Sequence, residues 1–319
     1  MSSHLEVVTF GEVMAMFVAA EPGPLDGVTT FTRSLAGAET NVATGLARLG
    51  HRTGWIGRVG DDPFGRYALS QLAAAGIDVS TVEVDAGAPT GFQLKSHAGG
   101  GDPEVVYFRR HSAASRLAPS TALDSYLRQA RHLHLTGIPL ALSASTRAFA
   151  YRALDVARAA GLTISFDPNL RPSLWSSPDE MISVINDVAV RADWVLPGLA
   201  EGALLTGRTD AAGVADYYRS RGVSRVVIKD GVAGSSSFTR AGRVDQPVFG
   251  VRVVDTVGAG DGFAAGLISA LLDGLSESAA LERAAAVGAL AVTSAGDRDG
   301  LPDRATLADF LTQRTAGVR

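Results

Sequence analysis

The sequence predicts an α/β fold: a mostly parallel central sheet with helices on both faces, carrying a small β-lid at the edge where ligands bind. Three observations predict it. Short runs rich in Val, Ile and Leu alternate with Ala/Leu/Arg stretches of helical period, the pattern of parallel strands joined by covering helices. Two segments, 13–33 and 89–110, break that rhythm with polar alternate faces and no helix to cover them. A glycine turn, Asp255-Thr256-Val257-Gly258-Ala259-Gly260-Asp261, opens into a long Ala/Leu-rich stretch.

Taken in order, β-branched and leucine-rich runs predict strands over 5–10, 53–59, 131–136, 162–167, 194–197 and 225–229. Helical periodicity between them predicts helices over 39–49, 64–75, 143–160, 178–191 and 199–205. After Asp261 the chain turns helical, over 263–272 and 277–292, with the apolar run 251–254 leading in. The two uncovered segments fit a lid over the carboxyl edge of the sheet. No linker or repeat stands out, so 1–319 reads as one folding unit with a discontinuous lid.

Composition narrows the function classes. With 46% hydrophobic residues the chain can bury a large core, which excludes disorder. A net charge of −4 without any basic block argues against nucleic acid or an anionic membrane as partner. The absence of cysteine excludes disulfides, thiolate metal sites and thiol nucleophiles. Met1-Ser2-Ser3-His4 runs directly into a strand-like stretch, unlike a signal peptide, and no apolar run approaches the ~20 residues of a membrane span. The expectation is a soluble, cytoplasmic protein.

The glycine turn carries the chemistry. A turn opening a helix aims backbone N–H groups at one point, backed by the positive end of the helix dipole, and suits an anion. Asp261 would repel a resident phosphate, which makes sense if the phosphoryl group is in transit. Asp261 then takes a proton from an attacking hydroxyl while Gly258, Ala259 and Gly260 hold the developing charge. The bland alternative is an ordinary first-turn acid.

Three motifs now carry a resemblance. The glycine turn, Ala36-Gly37-Ala38-Glu39-Thr40-Asn41 running on to Gly50, and Gly57-Arg58-Val59-Gly60-Asp61 resemble, in order, the signatures of ribokinase-like (PfkB) sugar kinases. The resemblance covers nearly the whole chain. It implies a three-layer α/β/α fold with a β-lid through which some members dimerise, ATP and Mg²⁺ as requirements, and K⁺ in some members.

On the sugar side, Gly37 permits close backbone approach, and Asn41 offers a donor and an acceptor, as sugar ligand or as helix cap. Asp167-Pro168-Asn169-Leu170-Arg171 follows a strand; Arg171 can fork onto a carboxylate or phosphate, or pair with Asp167. By resemblance, Tyr107 and Arg109 of the lid touch the substrate. Met16 stands where ribokinases and fructokinases carry an Asp, and Gln93 where relatives carry a second lid tyrosine. Gly-Ala-Glu-x-Asn, Met16 and the paired Arg109 and Arg171 are most similar to 2-keto-3-deoxygluconate kinases, with a fructokinase as the alternative.

On the nucleotide side, the resemblance places Lys229, Gly231 and Gly234 near the phosphates and 293–296 in the adenine pocket; Lys229 also reads as a solvated turn lysine. It assigns Glu201 to Mg²⁺ through water, although Gly198 replaces the usual Asn, and Asp255 to a monovalent cation. His132 and His134 alternate on one strand, as packed residues or as a metal pair. Two other classes stay in view. A dinucleotide oxidoreductase would need Gly-x-Gly-x-x-Gly in its first βα unit, which is lacking. A non-catalytic sugar-binding regulator would not need Asp261.

Overall fold

The structure, a computed structural model, describes residues 5–97 and 103–316; the first four residues and 98–102 of the expected lid lie outside them. Fourteen strands are described. They are β1 (Val7–Phe10), β2 (Met14–Ala19), β3 (Phe31–Ala36), β4 (Thr53–Ile56), β5 (Arg58–Gly60), β6 (Glu83–Asp85) and β7 (Phe92–Lys95). These are followed by β8 (Val105–Phe108), β9 (His132–Thr136), β10 (Thr163–Asp167), β11 (Trp194–Val195), β12 (Arg225–Lys229), β13 (Ser235–Thr239) and β14 (Gly242–Gln246).

The central sheet runs β14-β13-β12-β11-β10-β9-β1-β4. It is parallel from β12 to β4, and the β13–β14 hairpin adds an antiparallel edge. Both faces are apolar, so both are covered. Val8, Phe10, Leu133, Ile164, Phe166 and Val226 pack against the helices Ala144–Ala159 and Pro178–Ala189. Val7, Leu196 and Val227 pack against the helices Ala38–Arg48, Ala259–Leu272 and Glu277–Ala291.

A second sheet, β3-β2-β7-β8, is the expected lid; β5 and β6 form a separate parallel pair. The expected strand 53–59 is two strands. Gly57 lies between them, where a Cβ would meet the Trp55 ring at 2.1 Å. The run 251–254 forms no strand; the Val254 N–H donates to the Val292 carbonyl at 2.8 Å. His132 and His134 are buried and packed: Ser165 Oγ lies 2.8 Å from His132 Nε2 and 2.8 Å from His134 Nδ1, and the His132 ring stacks on Trp194. Burial holds both imidazoles below their ordinary pKa, in the neutral form.

Candidate active site

A cavity of about 560 Å³ opens over the carboxyl ends of the parallel strands. β10 ends at Asp167 and β12 at Lys229, and these two side chains join across the floor at 2.6 Å. Burial works against the Lys229 charge, but Asp167 and Glu201 outweigh it and raise its pKa. Lys229 is therefore a paired floor residue and not a solvated turn lysine. The lid supplies the opposite wall through Met14, Gln93, Tyr107 and Arg109, while Gly37, Asn41, Arg171, Gly258, Gly260 and Asp261 complete the lining.

Asp261 lies in the first turn of the helix Ala259–Leu272 and is 8% exposed. Asn41 Nδ2 donates to its Oδ2 at 2.8 Å, and Asn169 Nδ2 approaches Oδ1 at 3.4 Å. Burial pushes the carboxyl up to about 7; Asn41 and Arg171 oppose the rise, while Asp167 and Asp297 add to it. A carboxylate poised near neutrality suits a general base. Asn41 thus grips the Asp261 carboxylate instead of capping its own helix, whose N-cap is Gly37.

The two amides leave something over. Asn41 Oδ1 and Asn169 Oδ1 are buried without a protein partner. Buried polar atoms are normally paired, so these acceptors beside Asp261 are suited to ligand hydroxyls. Asn169 is held at φ 40°, with its N–H donating to Asp167 Oδ1 at 3.1 Å. Such strain is common where a side chain must be aimed.

The helix Ala259–Leu272 has no side-chain cap, whereas Asp62, Ser120, Ser143 and Ser177 each cap the helix they precede. Its first-turn N–H groups have no acceptor within the helix; that of Ala259 donates to the Thr256 carbonyl at 3.5 Å, and Gly258 and Gly260 line the cavity. Glycine is required at Gly258: φ is 88°, and a Cβ would lie 2.2 Å from the Asp297 carbonyl oxygen. Gly37, at φ 144°, is pressed as closely on the Glu12 carbonyl, at 2.4 Å.

A second cavity of about 590 Å³ meets the first at Lys229, Thr256 and Gly260. Its walls are apolar, among them Val232, Phe249, Val253, Phe263 and Ala289, and Gly231 and Gly234 belong to its lining. It suits a planar base. Residues 293–296, expected here, do not line it; Ala285, Gly288, Ala289 and Val292 do.

Several expectations need correction. Met16 is fully buried beside Met14, and Met14 reaches the cavity in its place. Arg171 does not pair with Asp167; it is exposed, and its guanidinium donates to the Leu170 carbonyl. Arg109 is held by Glu12, Nε to Oε2 at 2.6 Å, a partner that the motif reading missed although it follows Gly11. Glu39, read as a motif letter, is also buried near Asp261. Burial pushes it up to about 7, against the hydrogen bond from Thr136.

The two expected metal residues are differently placed. The Glu201 oxygens accept from the Gly198 and Leu170 N–H groups at 2.8 and 2.7 Å, so the side chain braces the cleft while lining the cavity. Asp255 does not fit a monovalent cation, because Lys95 Nζ lies 2.5 Å from its Oδ2. Among the described residues, no group of three or more His, Asp or Glu is arranged to hold a metal.

A buried carboxylate with its pKa near neutrality and an uncapped helix start share one turn here, an arrangement that suits phosphoryl transfer to an alcohol group. The protein is a phosphotransferase acting on an alcohol group. The chain belongs to the pfkB family carbohydrate kinases, whose family model matches residues 4–304. It is 52% identical to the 2-dehydro-3-deoxygluconokinase of Bacillus subtilis (strain 168), over 98% of this chain and 97% of that one. Among solved structures, a PfkB protein from Polaromonas sp. JS666 superposes with a TM-score of 0.88 at 50% identity, covering 95% of this chain and 99% of that one. An E. coli protein solved with ATP and Mg²⁺ superposes at 0.89 with 27% identity, covering 97% and 99%. The fold is ribokinase-like, and no helix among the described residues is long and apolar enough to cross a membrane.

Proposed function

We propose that this chain transfers the γ-phosphoryl group of ATP to O6 of 2-keto-3-deoxygluconate, the compound also called 2-dehydro-3-deoxygluconate. The observation that carries the sugar acid is Arg171. Among the described residues it is the cleft cation with no carboxylate partner, whereas Arg109 is held by Glu12 and Lys229 by Asp167. An uncommitted guanidinium at the rim suits a substrate carboxylate, bound by two parallel charge-assisted hydrogen bonds. Met14 on the lid wall suits a deoxygenated carbon. The 52% identity to a kinase of that name supports the same reading.

In this reading the sugar lies between the lid and Asp261, with hydroxyls donating to Asn41 Oδ1 and Asn169 Oδ1. Gly37 lets it approach the backbone, and Gln93 and Tyr107 face it from the lid. Asp261 removes the O6 proton as that oxygen attacks the γ-phosphorus, the bond from the γ-phosphorus to the β–γ bridging oxygen breaks and ADP leaves, and the Gly258–Gly260 turn receives the charge on the phosphoryl oxygens. The adenine enters the apolar cavity, with Gly231 and Gly234 beside it. Lys229, where the two cavities meet, lies close to the phosphates. Mg²⁺, carried in with ATP, would offset phosphate charge, and Glu201 is the carboxylate that would hold it, through water.

Two coarser proposals accompany this one. ATP as donor locates the enzyme in the cytoplasm. The lid is read as a homo-oligomer surface, because edge strand β8 exposes Tyr107 and Phe108, at 45% and 47%.

A coupled ADP-release assay with ATP·Mg²⁺ tests the substrate over 2-keto-3-deoxygluconate, fructose, ribose and gluconate. A strong preference for the keto-deoxy acid is expected. Preference for fructose would keep the mechanism and remove the carboxylate role of Arg171.

A further inference from the structure

The chain contains two lysines, Lys95 and Lys229, in an otherwise arginine-based set of cations. Lys229 lies on the cleft floor. Lys95 is fully buried: it reaches from lid strand β7 to Asp255 Oδ2 at 2.5 Å and Asp297 Oδ1 at 2.7 Å, with both carboxylates at most 5% exposed. Burying an ammonium is costly unless it is paired, and here two acids compensate it.

Both residues adjoin the phosphoryl-binding turn. Asp255 Oδ1 accepts the Val257 N–H at 3.0 Å, and the main-chain carbonyl of Asp297 lies against Gly258, where a Cβ would meet it at 2.2 Å. Without a cation between them, two buried carboxylates would repel each other behind the turn. We infer that the Lys95 ammonium takes the place of a diffusible monovalent cation behind the turn 255–258, acting as a positioning residue that makes the enzyme indifferent to K⁺.

A compact, strongly hydrated point charge on a flexible stem is the side chain nearest in character to such an ion. The two carboxylates raise the Lys95 pKa, outweighing the effect of its burial. The arrangement also ties lid to turn: Gln93, two residues earlier on the same face of β7, lines the sugar cavity. Only the link from this cation to turnover rests on the reading of Gly258–Gly260 as the anion hole.

The test compares wild type with Lys95→Ala in buffers whose cation is tetramethylammonium, Na⁺, K⁺ or NH₄⁺, reading both kcat and the melting temperature without substrates. Wild type is expected to change less than about twofold in kcat across the series and not to shift in melting temperature. Lys95→Ala is expected to lose at least about tenfold in kcat in tetramethylammonium, and K⁺ or NH₄⁺ should restore both activity and melting temperature. Activation of wild type by K⁺ of severalfold overturns the inference, and this arm decides alone if Lys95→Ala does not fold. A folded variant that is fully active without small cations, or that no cation stabilises, also overturns it. Recovery of the melting temperature without recovery of kcat supports the cation replacement and counts instead against the anion-hole reading.

Discussion

Asp261→Asn should make the protein inactive and, at alkaline pH, more stable. The carboxyl rises from 3.8 to about 7 in the folded chain, chiefly through burial. Between those values the unfolded chain has released the proton and the folded chain keeps it, so stability falls as pH rises; the full cost is reached above about 7. At ~1.4 kcal/mol per pKa unit the ceiling is about 4 kcal/mol. Roughly 2–3 kcal/mol of it accrues between pH 5 and pH 8. Asparagine keeps an oxygen for the Asn41 donor but carries no charge, so the cost vanishes. Urea unfolding of wild type and variant at pH 5 and pH 8 reads the difference, and the ADP-release assay reads a kcat loss of roughly 10²–10⁴-fold. A variant whose stability relative to wild type is the same at both pH values would refute the buried-base argument, even if activity were lost.

Three further outcomes are expected. The kcat/KM profile should rise about tenfold per pH unit up to about 7 and then flatten, because the ionised Asp261 is the active form; a flat profile from pH 5.5 to 8 would count against the base. Arg171→Met should raise KM for the sugar acid roughly 10- to 100-fold, as loss of a charge-assisted contact implies, while barely changing KM for fructose. Gly258→Ala should cost on the order of 1–3 kcal/mol in urea unfolding and most of the turnover, since the left-handed φ and the Asp297 carbonyl both exclude a methyl group.

Much of the fold was legible because it is locally encoded. The parallel strands are apolar on both faces, so their runs appear unbroken, and the helices between them carry their own period. The β13–β14 hairpin was not legible: its Ser, Arg and Asp residues alternate with few apolar ones, and only pairing with β12 makes it sheet. The helix Thr121–Leu127 was missed because seven residues are too short to show a period, and the polar helix Arg304–Ala316 for want of a strong apolar stripe. In the site, Asp261, Gly258, Gly37 and Arg171 were legible because backbone turns and strand ends place them. Their partners were not. Asn41 meets Asp261 across 220 residues, Arg109 meets Glu12 across 97, and Lys95 meets Asp297 across 202. A signal was present for Lys95, since lysine is so rare in this chain, but nothing local says which acid it seeks.

Those long-range pairs decide what the cleft accepts. Glu12 balances Arg109, Asp167 balances Lys229, and Asp255 with Asp297 surround Lys95, so each of these cations is matched before a ligand arrives. Asp261 and Glu39 are both pushed up to about 7, which leaves them only partly ionised at neutral pH. The remaining cleft cation without a carboxylate ion-pair partner is Arg171, on the sugar side. An acidic sugar would supply that partner, whereas a neutral ketose leaves the guanidinium with the Leu170 carbonyl and solvent. A triphosphate brings Mg²⁺ to offset much of its own charge, and it needs from the protein mainly aimed N–H groups. The uncapped helix at Gly258 provides them. In this reading substrate preference follows from which charges the fold has already paired, and turnover from a fixed ammonium that keeps the two acids behind the turn in place.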